Sequence, residues 1–327
     1  MIKIIDTTLT AMDNHLPSKE DLHYFCYLLN EIGVDYIEIS TKVYDKMEYL
    51  PEGMHFFLRL KVQKDKPKYP GCYRYVIHHG ENDINVIAKV QINDIREIIK
   101  LRSMSNQEEV CIVGLDDLIC HNYNEIMEEM KRIFPNSKIT FCPENTYDLA
   151  SALAVQWILN GGNQVMTSFA GHGNKAATEE VLLALRIAIR HKPNQQLNQL
   201  PELTKLYSKV TGEIISKNKP IIGENIFKVE AGIHADGIIK NPTNYEPFEP
   251  EIVGGNRTII IGKHSGKRAI QLKCLQHGII LPNDRMLKEI IEKVESVCVN
   301  ERNSLSDQEF VVLVKEVYGY ENKKKYC

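Results

Sequence analysis

The sequence predicts an α/β protein built on a TIM-type (β/α)8 barrel, with a C-terminal lid and a small helical subdomain. Three observations predict it. Strand-like and helix-like stretches alternate through roughly the first 190 residues with short connections, as parallel β-α-β units do. The strand-like stretches are near-continuous apolar runs, the composition of strands covered on both faces. A chain of 327 residues also suffices for one barrel with an appendage. That length favours a closed barrel over an open doubly wound sheet.

The first unit is the clearest. Residues 2–5 read as a strand that stops on Asp6-Thr7-Thr8-Leu9. Pro17-Ser18 then opens a helix, with Asp21 three residues after Ser18. Leu22, Phe25, Leu29 and Ile32 share one face, and Gly33 ends the helix. Residues 34–40 (VDYIEIS) form the next strand. Further strands are expected at 56–62, 73–77, 110–115, 138–141 and 164–169, with helices at 94–102, 124–133, 147–159 and 178–189. Residues 44–93 define no strand count. After about residue 195 the composition turns to Gly, Pro and Asn, which suits an ordered functional excursion. The division read from these signals is 1–195 for the barrel, 196–280 for a linker helix and lid, and 281–327 for a helical subdomain.

Charge is nearly balanced, with 40 Lys plus Arg against 43 Asp plus Glu, so no broad field draws the chain to nucleic acid or an anionic membrane. No apolar stretch approaches the roughly 20 residues of a membrane span, and Asp6 interrupts any secretory core. The expectation is a cytoplasmic protein without nucleic-acid or membrane partners. Eight cysteines occur without a C-x-x-C pair, and read as small buried hydrophobes rather than a zinc or dithiol site.

Several motifs invite chemistry. GKHSGKR (262–268) departs from a phosphate loop, because three residues rather than four separate its glycines and Arg268 follows Lys267. SFAGHGNKAATEEV (168–181) is a Gly-rich loop opening a helix; it suits an anion and a purely steric tight turn equally well. His234 sits between Gly232 and Gly237, with Glu230 and Asp236 near enough in sequence to orient an imidazole. His78 and His79 adjoin in a strand, so they point to opposite faces.

Taken together, DTTL after the first strand, SFAGHGNKAATEEV, EAGIHADGIIKNPTNYEPFEPEIVGG and IIIGKHSGKRAI resemble, in this order, the Claisen-condensing barrel synthases that make homocitrate, isopropylmalate and citramalate. The resemblance runs from about residue 2 to 300, and because the stretch from DTTL to Asn145 is shorter than in that family it implies a barrel abbreviated by one or more β/α units. It is nearest to the homocitrate synthases that serve nitrogenase cofactor assembly. It implies a reaction in which acetyl-CoA loses a methyl proton and the carbanion attacks the ketone of a 2-oxo acid. In that family a divalent metal polarises the ketone and an Arg meets the developing oxyanion. The strand-one loop there continues Arg-Asp-Gly-Glu, and a His-x-His-Asn-Asp run supplies further ligands.

At the matching positions this chain has Thr10 for the Arg, Ala11 for the metal Asp, and Cys142 and Glu144 for the two histidines. Asp13 with Cys142 and Glu144 makes a poor replacement, since an oxygen-preferring octahedral ion does not choose thiolate. The lid is retained. The resemblance assigns acid/base roles in a partner's barrel to His234 and Tyr245, with Glu230 as the orienting carboxylate. It therefore implies a catalytically incomplete subunit, of the kind called omega, that binds no metal itself. It would act on acetyl-CoA and a 2-oxo acid beside a sister chain that holds an Mg-, Mn- or Zn-type ion. A homodimer formed by lid exchange, an active isopropylmalate or citramalate synthase, a metal-dependent lyase and a regulatory scaffold remain open at this level.

Overall fold

The computed structural model describes residues 1–230, 237, 238, 240–280 and 283–324, with side chains described as far as residue 319. The chain divides into two compact units, Met1–Gly223 and Glu224–Cys327.

In the first unit eight parallel strands close into a barrel: β1 (Lys3–Asp6), β2 (Tyr36–Ser40), β3 (Phe56–Leu60), β4 (Arg74–His78), β5 (Val86–Ile92), β6 (Glu109–Gly114), β7 (Lys138–Pro143) and β8 (Gln164–Thr167). The last strand returns to the first, Ile5 lying beside Met166 as well as Tyr36. Side chains alternate in and out along each strand. The inward set Ile5, Tyr36, Phe57, Val76, Ile87, Cys111, Val113, Cys142 and Met166 fills the barrel as one buried cluster. Outside it run α1 (Lys19–Ile32), α2 (Thr41–Met47), α3 (Tyr123–Ile133), α4 (Ala150–Leu159), α5 (Thr178–Ile189) and α6 (Leu200–Thr211). The sequence signals at α1 act as read: the Ser18 hydroxyl accepts from the Asp21 N–H at 3.1 Å, and Gly33 ends the helix at φ 104°.

All eight strands are present. The one the sequence does not announce is β5, and the reason lies in the connections. Between β3 and β4 the chain makes only a 3₁₀ segment, Gln63–Lys68, containing Pro67; residues 79–85 join β4 to β5 without a helix; and Ile95–Met104 is 3₁₀ rather than α-helical. What is abbreviated is the crossovers, not the strands. The expected linker helix also falls elsewhere, since α6 packs against α1 within the barrel unit instead of belonging to a separate 196–280 segment.

Asp6-Thr7-Thr8-Leu9 is a closure clamp. The wholly buried Asp6 carboxylate accepts from Thr178 Oγ1 at 2.6 Å and from the Thr8 N–H at 2.9 Å. Thr178 also bonds Thr167 at 2.7 Å, and Thr8 Oγ1 accepts from the Phe169 N–H at 2.7 Å. Burial pushes the Asp6 carboxyl above its ordinary value, against the pull of those hydrogen bonds. The motif thus ties β1 to β8 and to the start of α5, far apart in sequence.

A second buried acid produces a pH dependence. Glu179, at the start of α5, is fully buried; it accepts from the Ala170 N–H at 2.9 Å and its Oε1 has no hydrogen-bond partner. Burial raises its pKa from 4.5 to about 7, with Lys219 opposing at 3.9 Å. A raised acid pKa means that the folded state binds a proton more tightly than the unfolded state. Its ionisation therefore costs stability as pH rises from about 4.5 through 7. Glu179→Gln is expected to remove about 3 kcal/mol of that slope, read from urea midpoints between pH 5 and pH 8. An unchanged slope would contradict this.

In the second unit β9 (Lys228–Val229) pairs in parallel with β10 (Thr258–Ile259), followed by α7 (Lys267–Gln276), α8 (Asp284–Glu301) and α9 (Asp307–Lys324). Ile261, Ile270, Leu287, Ile290, Val294, Phe310 and Val314 form a common core. The lid segment and the terminal helices therefore share one hydrophobic interior, where the sequence suggests two pieces divided near residue 280. Among the described residues no helix is long and apolar enough to cross a membrane.

Candidate active site

The C-terminal ends of the barrel strands are where this architecture places chemistry. After β1 the chain turns through a 3₁₀ segment, Thr8–Ala11. Thr10 spends its hydroxyl on the Thr7 carbonyl at 2.7 Å, Ala11 offers a methyl, and Met12 is buried. Asp13 accepts a short hydrogen bond from Ser40. Cys142 is buried inside the barrel, which pushes its thiol pKa up and keeps it neutral. Glu144 is fully engaged, with Oε1 on the Lys175 ammonium at 2.6 Å and Oε2 accepting from Gln91 Nε2 at 2.9 Å. Burial pushes the Glu144 carboxyl up, but Lys175 and Gln91 outweigh it and leave the group below its ordinary value.

A divalent ion does not fit this donor set. A methyl, a neutral thiol and a carboxylate already held by an ammonium leave it no ligand, and Asp13 is turned to Ser40. Among the described residues no three of His, Cys, Asp and Glu are grouped to hold a metal.

The mouth is nevertheless charged, by residues that no sequence motif singles out. Glu38 on β2 is wholly buried and pairs with Arg59 Nε on β3 at 2.6 Å. Lys89 on β5, 7% exposed, lies in register beside His78 on β4 and Cys111 on β6. Burial depresses the His78 pKa, and Lys89, His79 and Arg59 add to it. The available signal is parity: Glu38 in YIEIS and Lys89 in VIAKVQI occupy inward positions of otherwise apolar strands. The Gly-rich loop after β8 delivers Lys175 to this mouth, a role as charge carrier rather than bare turn. In the same loop the His172 ring bonds the Tyr207 hydroxyl at 2.8 Å and lies 3.1 Å from Glu213. His78 and His79 do not share a site; their ring centroids are 6.2 Å apart, and His79 leaves the strand at φ 47°.

In the second unit Glu230 directly follows β9 and is gripped by the GKHSG turn. Its Oε1 accepts from the His264 N–H at 3.0 Å, and the Ser265 hydroxyl, which accepts from the Gly262 N–H at 2.9 Å, reaches the Glu230 carbonyl at 3.3 Å. A Cβ on Gly262 would stand 2.3 Å from Glu230 Oε1, so a larger residue there would push the carboxylate out of its present position. Glu230 also lines a cavity of about 480 Å³ together with Lys263, Cys298, Arg302 and Ser304. Tyr245 is half exposed at the end of a 3₁₀ turn, Pro242–Asn244, and its hydroxyl packs against Gly237. His234 and Asp236 lie outside the described residues. GKHSG thus serves as a cradle for a carboxylate.

Comparison with known proteins agrees with these observations. Residues 221–302 match the family described as homocitrate synthase post-HMGL domain-like. The chain is 32% identical to the homocitrate synthase omega subunit of Clostridium pasteurianum, over 96% of this chain and 95% of that one. It is also 32% identical to the (R)-citramalate synthase of Methanocaldococcus jannaschii, over 98% of this chain and 75% of that one. The HMG-CoA lyase of Bacillus subtilis shares the barrel fold, with a TM-score of 0.52 at 17% identity, over 67% of this chain and 97% of that one. A closed eight-stranded barrel, the lid sequence and identity along nearly the whole chain place it together with these proteins: the chain belongs to the homocitrate synthase family.

Proposed function

We propose that this chain is a subunit of a two-chain homocitrate synthase. In this reading it performs no condensation in its own barrel and lends its lid to the barrel of a sister chain. The Glu144–Lys175 pair carries the reading, because an ammonium holds the carboxylate that a metal would need. The sister chain supplies the intact Arg and the divalent ion, of Mg, Mn or Zn type. The substrates are acetyl-CoA and 2-oxoglutarate, and the product serves nitrogenase cofactor supply. The name of the Clostridium pasteurianum relative, an omega subunit, supports a hetero-oligomer.

Within that shared cavity each lid residue has a task. The His234 imidazole takes the methyl proton of the thioester, the Tyr245 phenol relays a proton to the new alkoxide, and Glu230 orients the imidazole. The GKHSG cradle supports the assignment, since the His264 N–H holds the Glu230 carboxylate in one orientation.

Mixing purified chains tests it. With 2-oxoglutarate, acetyl-CoA and divalent metal, this chain alone is expected to give no homocitrate, and adding the sister chain about a hundredfold more than either alone. Condensation by this chain alone would overturn the proposal.

A further inference from the structure

The groove between the last two helices is acidic, and the far end of the last helix is basic. About 370 Å³ in volume, the groove is lined by Val297 and Glu301 of α8, by Leu305, and by Glu309, Val312 and Glu316 of α9. Lys293 is the one cation among its lining residues, and Glu316 already engages it at 2.6 Å. Val312, 56% exposed, presents an apolar side chain between those carboxylates. Residues 320–327, by contrast, hold Lys323, Lys324 and Lys325 against one acid, Glu321.

The two ends belong to one stripe. On α9 the exposed residues Glu309, Val312, Glu316 and Gly319 follow one another at intervals of three, four and three, and Lys323 continues the series four further on. That spacing is the seam of a two-helix pair. Set antiparallel to itself, the stripe is self-complementary. Glu309 meets Lys323 of a second copy, and Val312 meets Gly319, where a Cβ would find nothing within 4 Å and a neighbour's valine has room to enter. Glu316 meets its own equivalent, each copy held by its own Lys293. Lys323 cannot serve Glu309 of its own chain, because about 21 Å of helix separates them. A patch that matches itself in reverse is what a two-fold contact requires.

We propose that α9 and its groove dock a second copy of this chain, through an antiparallel α9 pair in which the basic end of each helix lies on the acidic groove of the other. This goes beyond the lid function proposed above. Its test needs no sister chain, so the two readings fail separately.

Sedimentation velocity of the full chain at low salt is expected to show self-association with a Kd on the order of 10 μM, the weak end for so small a contact. Two charge variants are then compared. The groove variant carries Glu301→Lys and Glu309→Gln, the glutamine keeping an acceptor for the Ser306 N–H that Glu309 now accepts at 2.7 Å. The tail variant carries Lys323→Glu and Lys324→Glu. Each alone is expected to associate at least about tenfold more weakly, because like charges then meet. Their equimolar mixture is expected to recover the parent affinity, because every helix end again finds a groove of opposite sign. Recovery in the mixture also shows that both variants are folded. Val312→Gln, on an exposed side chain, is expected to weaken association at least about threefold with melting unchanged. A lid-exchanged dimer is indifferent to these charges, so failure here leaves the lid reading standing. A chain that stays monomeric, association that either charge variant leaves unchanged, a mixture no tighter than its parts, or a groove that takes only the sister chain overturns the proposal.

Discussion

His234→Ala, made in this chain and assayed in the mixed assembly, is expected to lower condensation turnover by about 10² to 10⁴, the range for loss of a positioned general base. KM for the 2-oxo acid is expected to change little, because the proposed role sets the imidazole against the thioester methyl and not the ketone. Glu230→Gln is the discriminating companion. Its carboxylate is already oriented by the His264 N–H, so neutralising it is expected to lower the acidic limb pKa of the kcat/KM profile, with a smaller loss of rate. A scaffold relative predicts no effect of either change on the partner's turnover. Equal activity of His234→Ala and parent assemblies, at equal complex formation, would therefore remove the lid from the chemistry.

The largest expected effect on stability lies at Gly114, the last residue of β6. Its φ is 97°, and a Cβ there would stand 2.3 Å from the Ile92 carbonyl oxygen and 2.8 Å from Gln91 Nε2. That carbonyl accepts the Leu115 N–H at 2.7 Å, and Gln91 steadies Glu144. Gly114→Ala thus combines left-handed strain with a clash against backbone that cannot yield. The sum is about 4 kcal/mol, or a fall of about 10 °C in melting temperature. Gly53→Ala is the control: φ is 76° there too, but no atom lies within 4 Å, so only about 1 kcal/mol of strain is expected. Similar melting of the two variants would refute the clash.

The features legible in the sequence are those encoded locally. The helix at 178–189 has the bounds of α5, because its apolar face, acidic first turn and Gly-rich approach all lie within a few residues of it. The lid cradle is legible as GKHSG but not as a grip on Glu230, which stands some thirty residues earlier. β5 is hidden because the connections around it carry no amphipathic helix to frame it.

The sequence by itself determined the alternation of strands and helices, the family, and the loss at positions 10, 11, 142 and 144, since each depends on residue identity and short spacing. Only the tertiary structure decided what fills that loss. Barrel closure brings Lys175 onto Glu144 across 31 residues and Thr178 onto Asp6 across 172. It also turns Glu38, Arg59 and Lys89 inward to one mouth. Electrostatic partnership depends on separation in space, and in a closed sheet that separation is set by register and shear rather than by distance along the chain.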